Sequence, residues 1–558
     1  MNYPYISIVL TDYKSQRGTL PYGVCLFGIL FQIPVFLIAI FGLYSLMERF
    51  YYSLTDFNGL EKPVFIGLKN YFNIFEAAAI QKCLGNTVIM VFIVAALLIL
   101  TAVLPAIFIS RLKLPFGLVL MGAFSLISLC TMFPNPLKIF FSSDSYGTLN
   151  SILLSASLIN KPIAFIQTNA MLLVVMVLWL YCLAPVFSIT YIAARMKHSF
   201  LGSAIAVCLI PVFMYSGGGI ATSIVGYPTG NYVADWLYTI FQDFLSVRYY
   251  IGLAYAILFT GLIMLVVWCV AVCVIVLGLW ALCKNVNSNS KAFKVVGYIA
   301  FVAALPLLFS AFVFITLYFL KSLMPLEELL VFPPHLLPQR PTLQNFYDLI
   351  KLTSNASVPS LRYIINSLFV VPLFIMPVCL FVALPSGIGF GLFKAFKHQK
   401  LLLLCFIPFL FAFGYLTYSR LGIIDTYVVY MLDFLSSFEF IIAVFLVYLA
   451  VKLVFYNRKP RISGILLGIL FVLTSFNAIG VIRGVWYNGN GAIHNAHLKG
   501  WSMMSALISA GGIARSGVAA ANDILMLFAT FTAVIIPIIL ALILYALYRK
   551  NTKNLIKN

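Results

Sequence analysis

Apolar tracts of bilayer-spanning length follow one another along almost the whole chain. They lie near 21–46, 87–110, 116–138, 170–194, 199–221, 250–280, 296–320, 364–391, 401–419, 429–455, 464–482 and 523–548. A helix needs about 20 mostly apolar residues to cross the hydrocarbon core, where it alone satisfies all of its own backbone hydrogen bonds. Composition agrees: 63% of the 558 residues are hydrophobic and 9% charged, where a soluble protein carries roughly 25% charged residues. A soluble globular domain, a disordered chain, a disulfide scaffold and a nucleic-acid binder are all excluded. The sequence predicts an all-α polytopic membrane protein with about 12 transmembrane helices.

The formal charge is +20, and its placement sets the orientation. With the N-terminus inside, the cytoplasmic ends and loops hold 20 of the 35 basic residues and one acid, Asp12. The outer side holds the other 15 basic residues and 14 acids. This bias is the positive-inside rule, and it places both the N- and the C-terminus in the cytoplasm. The ten cysteines form no CxxC pair, so they read as free thiols packed among helices. The tract from Pro21 to Leu46 is long for a signal peptide and reads as a retained first helix.

The chain also repeats itself. An outer loop reads Gly67-Leu68-Lys69-Asn70-Tyr71-Phe72, and the next apolar tract opens with Asn86-Thr87. Later, Thr342-Leu343-Gln344-Asn345-Phe346-Tyr347 precedes Asn366-Ser367, at offsets of 275 and 280 residues. The chain thus divides into a six-helix half at 1–284, a polar cytoplasmic linker at 285–295 and a second six-helix half at 296–558. Six is even, so both halves enter from the same side and form two parallel repeats about an axis along the membrane normal.

These residues resemble the permease subunits of type I ABC importers of the maltose and sugar-uptake kind. In the first half the matching stretches are Gly67 to Tyr71, Asn86-Thr87, Tyr146-Gly147-Thr148-Leu149-Asn150, Trp179, Tyr227-Pro228-Thr229, Trp236-Leu237-Tyr238, Phe241 and Gly252-Leu253-Ala254. The second half is similar to the partner subunit through Phe332-Pro333-Pro334, Pro338, Pro341 to Phe346, Ile365-Asn366-Ser367-Leu368, and Leu421 to Tyr427. The resemblance implies both transmembrane subunits fused in one chain. It also implies cytoplasmic ATP-binding subunits and an extracytoplasmic solute-binding protein as partners, in a bacterial cytoplasmic membrane.

One departure divides that inference. Family permeases carry a cytoplasmic coupling loop that opens with Glu-Ala-Ala and has a Gly four residues after it. At the corresponding place stand Ile192, Ala193, Ala194, Arg195, Met196, Lys197 and His198, without the Glu or the Gly. The second-half loop, with Arg458, Lys459 and Arg461, has no such remnant. Both coupling loops read as degenerate basic turns. No GxxxxGK[ST] phosphate loop occurs either, so ATP energy would have to come through partners.

Acidic residues inside a span are costly and point to function. Glu439, with Asp433 nearer the outer surface, is therefore a candidate solute or cation contact, against the plainer reading of an outer carboxylate paired with Arg420 or water. Sugar sites use aromatic faces, which singles out Trp179 and Tyr181 in the fourth helix, although aromatic belts at membrane interfaces account for most Tyr and Trp. Asn86 and Asn366 read as caps of equivalent helices, and Gly217-Gly218-Gly219 as a packing element. His494 and His497 are too few for a structural zinc site, and no metal or other cofactor is expected.

The reading is a non-enzymatic permease component of an ABC-type importer for a carbohydrate or similar small solute, working by alternating access between the halves. The alternatives are a scaffold or receptor that lost ATPase coupling, and an ATP-independent carrier using Glu439 or Asp433. A membrane glycosyltransferase with outer Glu327-Glu328, His335 and Arg340 is argued against by the repeat.

Overall fold

A computed structural model describes residues 32–131, 137–138, 140–165, 170–195, 199–225, 236–246, 250–283, 291–331, 335, 337–352, 358–370, 412–436, 495–498, 508, 515–525 and 527. These are mostly helical, and among the described residues no strand occurs beyond one isolated bridge between Thr55 and Phe65. The chain forms two compact units. The first comprises Met47–Leu349 with Ile508–Ile524; the second comprises Met1–Leu46, Ile350–Leu507 and Leu525–Asn558.

Chain order begins with α1 (Gln32–Ser53), the short amphipathic α2 (Lys69–Glu76) and α3 (Ala78–Leu98). A π-helical turn, Ile99–Val103, then leads into α4 (Leu104–Ile109). There follow α5 (Leu114–Thr131), α6 (Thr148–Ser155), α7 (Ala170–Arg195), α8 (Ser199–Cys208), α9 (Ile210–Val225), α10 (Leu237–Ser246), α11 (Ile251–Cys283) and α12 (Lys291–Ser322). Then come α13 (Leu326–Leu329), α14 (Gln344–Lys351), α15 (Ser360–Val370), α16 (Tyr415–Leu421), α17 (Val428–Leu435) and a 3-10 turn at Ala496–Leu498. Residues 516–525 are helical as well.

Among the described residues three helices are long and apolar enough to cross a membrane: Ala78–Ile109, Ala170–Arg195 and Ile251–Leu279. They differ in what covers them. In α7, 67% of the apolar window is buried inside the protein, against 6% for Ile251–Leu279. A helix that is apolar all round belongs in a core or in lipid, and these two take one place each. In the first unit α7 packs against α3, the π turn, α4, α5, α8 and α9. By contrast, α11 leaves Ile263, Val266, Val267, Val270, Val274 and Leu277 bare. Such a face in water is an aggregation hazard; against acyl chains it costs nothing.

A second feature of the first unit is a small knot that occurs twice. Helix α1 ends at Ser53, whose hydroxyl donates to Phe50 O at 2.6 Å; α12 ends at Ser322, whose hydroxyl donates to Phe319 O at 2.6 Å. In α2 the buried Asn70 amide donates to Ser53 O and Thr55 O at 2.9 and 2.8 Å. In α14 the buried Asn345 amide donates to Ser322 O and Met324 O at 2.9 and 2.7 Å. Ile66 N bonds Leu54 O at 2.9 Å in one knot, and Thr342 N bonds Leu323 O at 2.8 Å in the other. A glycine near the start of a later helix closes each. A Cβ on Gly252 would strike Thr55 O, and one on Gly517 would lie 2.7 Å from the Asn345 amide. The last carbonyls of a helix have no partner within it. Here a side-chain amide from the following amphipathic helix satisfies carbonyls at and just past that end, and the glycine lets another backbone approach.

Helix starts differ from the expectation at the Asn-Thr/Ser pairs. Asn86 and Thr87 lie well inside α3, which begins at Ala78, and Asn366 lies inside α15. Residues of good helix propensity, Ala78, Ala79, Gln81 and Lys82, carry α3 back past the start of the apolar tract. The pair is therefore not a cap of its own helix. Instead, Thr87 Oγ1 donates to Cys83 O at 2.7 Å and accepts from Leu237 N at 2.9 Å, serving the open start of α10.

Candidate functional site

The polar side chains inside the first unit gather at irregularities of the helices. Pro185 stands within α7 and has no N–H, so the carbonyl four residues earlier, Tyr181 O, loses its intrahelical donor. Ser128 Oγ on α5 lies 3.1 Å from Tyr181 O and 3.0 Å from Leu180 O, and takes over that role. The π turn holds Thr101, whose hydroxyl donates to Leu97 O at 2.7 Å and accepts the Trp179 indole N–H at 3.0 Å. Trp179 thus clamps α7 to the π turn. Tyr181, two residues on, is buried on the opposite side of α7. The two aromatics do not converge on one surface.

At the end of α7, Ala193 and Ala194 are buried, and Ala193 fills the space a side chain at Gly202 would need. Arg195 Nε donates to Tyr191 OH at 3.2 Å, and its guanidinium lies 5.6 Å from the centre of that ring. Tyr191 stacks on Phe187 at 5.8 Å, and Phe187 meets Phe124 edge-on at 4.9 Å. Lys197, Arg458, Lys459, Arg461 and Glu439 lie outside the described residues. Asp433 is on α17, in the second unit.

In the second unit Asn366 joins a different network. Its amide donates to His497 O at 2.7 Å and accepts from Tyr427 OH at 3.0 Å. Asp425, at a left-handed φ of 59°, accepts from Asn495 N at 2.7 Å. Tyr430 OH donates to Leu498 O at 3.2 Å. The Leu421–Tyr427 motif and Asn366 therefore hold the 495–498 turn in place, and His497 contributes its backbone to that network. In the first unit Glu328 is likewise a loop staple, accepting from Gln339 N at 3.0 Å and Arg340 N at 2.7 Å.

Sequence reasoning missed Asn522 and Asp523. Both are buried in the first unit, on the 516–525 helix. Asp523 Oδ2 accepts from Tyr318 OH of α12 at 3.1 Å. The Asn522 amide is fully buried, and among the described residues neither its nitrogen nor its oxygen has a hydrogen-bond partner. The expected span began at 523, which put the acid at the outer mouth. The signal that would have found the pair is the likeness of Gly517-Val518-Ala519-Ala520-Ala521 to Gly252-Leu253-Ala254-Tyr255-Ala256, which carries the helix back to its true start.

No family model, no curated protein and no solved structure matches the chain. Fold and site define a class: an α-helical protein with three described helices of membrane-crossing length, one of them bare, and polar side chains buried among the packed ones.

Proposed function

We propose that the chain is a multi-pass membrane permease built from two fused, parallel six-helix halves, of the kind that serves ABC importers of carbohydrates or similar polar solutes. The observation that carries this reading is the duplicated knot. Ser53 and Asn70 make the same hydrogen bonds as Ser322 and Asn345, and Gly252 and Gly517 lie close against the respective knots. A repeat of this depth supports two homologous halves, and halves of like topology can rock against each other around a solute. The bare face of α11 supports a lipid-facing helix and so a location in the cytoplasmic membrane. Three of the stretches that resemble the sugar permeases, Gly67 to Tyr71, Gly252 to Ala254 and Pro341 to Phe346, fall at the knots, which ties that part of the resemblance to the architecture.

One observation favours a second reading, a scaffold or receptor without ATPase docking. Ala193 and Ala194, at the place of the family's coupling loop, are buried, and Arg195 is held on Tyr191, so these residues are not free to dock an ATP-binding subunit. Purification of the tagged chain from its host in mild detergent, with mass spectrometry and an ATPase assay, separates the two. A co-purifying ATPase stimulated by the chain supports the importer. An intact chain with no ATPase, and no solute uptake lost on its deletion, refutes it.

A further inference from the structure

The geometry points to a buried site for the hydroxyl groups of a polyhydroxylated solute at Asn522, Asp523 and Tyr318, present in only one of the two repeats; this inference rests on the permease reading above. The repeat supplies its own control. With Gly252 set against Gly517, Ile257 corresponds to Asn522 and Leu258 to Asp523. In the first copy the helix packs Ala254, Ala256 and Ile257, all fully buried, into an apolar cluster with Ile74, Ile80 and Phe241. The fold of that region is thus met by plain apolar side chains. In the second copy the same positions carry an amide and a carboxylate, at 0% and 2% exposure.

Burying an amide without partners is unfavourable, and a native structure seldom leaves one so without reason. Asn522 offers two N–H donors and one carbonyl acceptor, all unused among the described residues. Asp523 offers acceptors only, one of them already receiving the Tyr318 hydroxyl. Ser516 Oγ, two turns back on the Asp523 face of the helix, is buried and also without a partner. An anion would be repelled by Asp523. An ammonium group brings donors alone and leaves the Asn522 N–H groups unmet. A hydroxyl both donates and accepts, so adjacent hydroxyls match an amide beside a carboxylate.

The test uses the purified full chain in lipid nanodiscs, with thermal unfolding as the readout. Asn522→Ile and Asp523→Leu restore the residues of the first copy, and Asn522→Ala is a smaller change at the same place. The probes are glucose, maltose and sorbitol, with lysine and succinate as controls. The expected result is a midpoint equal to or above that of the wild type in the variants, and a sugar- or sorbitol-induced upward shift in the wild type that both Asn522 variants lose. A fall of several degrees in both Asn522 variants would show that the amide is structural, held by a buried water, and would overturn the site. So would a sugar-induced shift that survives in Asn522→Ile, while leaving the permease reading intact. A shift with lysine or succinate and none with the sugars would overturn the assigned chemistry. No shift of the wild type with any probe would count against the site and the permease reading together.

Discussion

Asn345→Ala tests the knot most directly. The substitution removes the donor to Ser322 O and Met324 O, bonds of 2.9 and 2.7 Å made by a side chain that is 6% exposed. Ser322 and Met324 are themselves buried, so water cannot replace the amide. A buried carbonyl left without a partner costs about 1–3 kcal/mol. Two of them, less the roughly 0.5 kcal/mol that Ala gains over Asn inside a helix, give a net loss of about 1.5–5.5 kcal/mol. Asn345→Asp should be worse than Ala, because it turns a donor into a charged acceptor facing two carbonyls. Asn70→Ala should cost the same as Asn345→Ala, since the bonds to Ser53 O and Thr55 O have the same lengths within 0.1 Å. The assay is unfolding of the full chain in mixed micelles with increasing SDS, followed by tryptophan fluorescence. A loss below about 0.5 kcal/mol, the scale of an inert surface change, would refute the account. An Asp variant as stable as the Ala variant would do so too.

Three further outcomes follow from the same contacts. Gly252→Ala should destabilise more than Gly517→Ala, because its Cβ meets the Thr55 backbone carbonyl whereas that of Gly517 meets a side-chain amide; the same SDS titration ranks them. Ser128→Ala should cost about 0.5–1.5 kcal/mol in the native chain and close to nothing in a Pro185→Ala background, where a new N–H at 185 satisfies Tyr181 O. A double-mutant cycle reads that coupling. Trp179→Phe and Thr101→Val remove the same 3.0 Å bond, so each should cost about 0.5–1.5 kcal/mol and the pair no more than either alone, again by a cycle.

Continuous apolar character made some elements readable from the residues. The tracts at 170–194 and 250–280 correspond to α7 at Ala170–Arg195 and α11 at Ile251–Cys283, because each is an unbroken apolar run of helix length. Hydropathy carried no information on the start of α3, where helix propensity extends the helix through Gln81 and Lys82. It was equally silent on the π turn, which changes backbone bonding without a change of residue type. The likeness of Asn70 and Asn345 was visible as spelling, but its reason was not: a side-chain amide reaching carbonyls 15 to 23 positions away is a tertiary fact. Trp179 and Tyr181 drew notice as aromatics in one helix, and only the backbone period shows that they face opposite ways. Asn522 and Asp523 escaped because a polar pair beside an apolar tract looks like its wet end.

The two copies make a reciprocal test of that last pair. What they share, the Ser, the amide and the glycine of each knot, is scaffold by the test of having been needed twice. Where they differ, one copy shows what the fold tolerates and the other what something else demands. One turn before Ser53 stands Arg49, 6.0 Å from the centre of the Tyr255 ring; one turn before Ser322 stands Tyr318, bonded to Asp523. Each copy therefore places a different polar pair at the same level below its knot. If Asn522 is tolerated only for its ligand, the same amide in the first copy should be ruinous. Ile257→Asn gives up a side chain worth roughly 1.5–3 kcal/mol of burial and leaves an unpaired amide against Ile74, Ile80 and Phe241, a further 1–3 kcal/mol or so. The expected loss of about 2.5–6 kcal/mol would be read in the same SDS titration. An Ile257→Asn chain as stable as the wild type would mean that amides are cheap at this level of the bundle. The unpaired amide of Asn522 would then need no ligand to explain it.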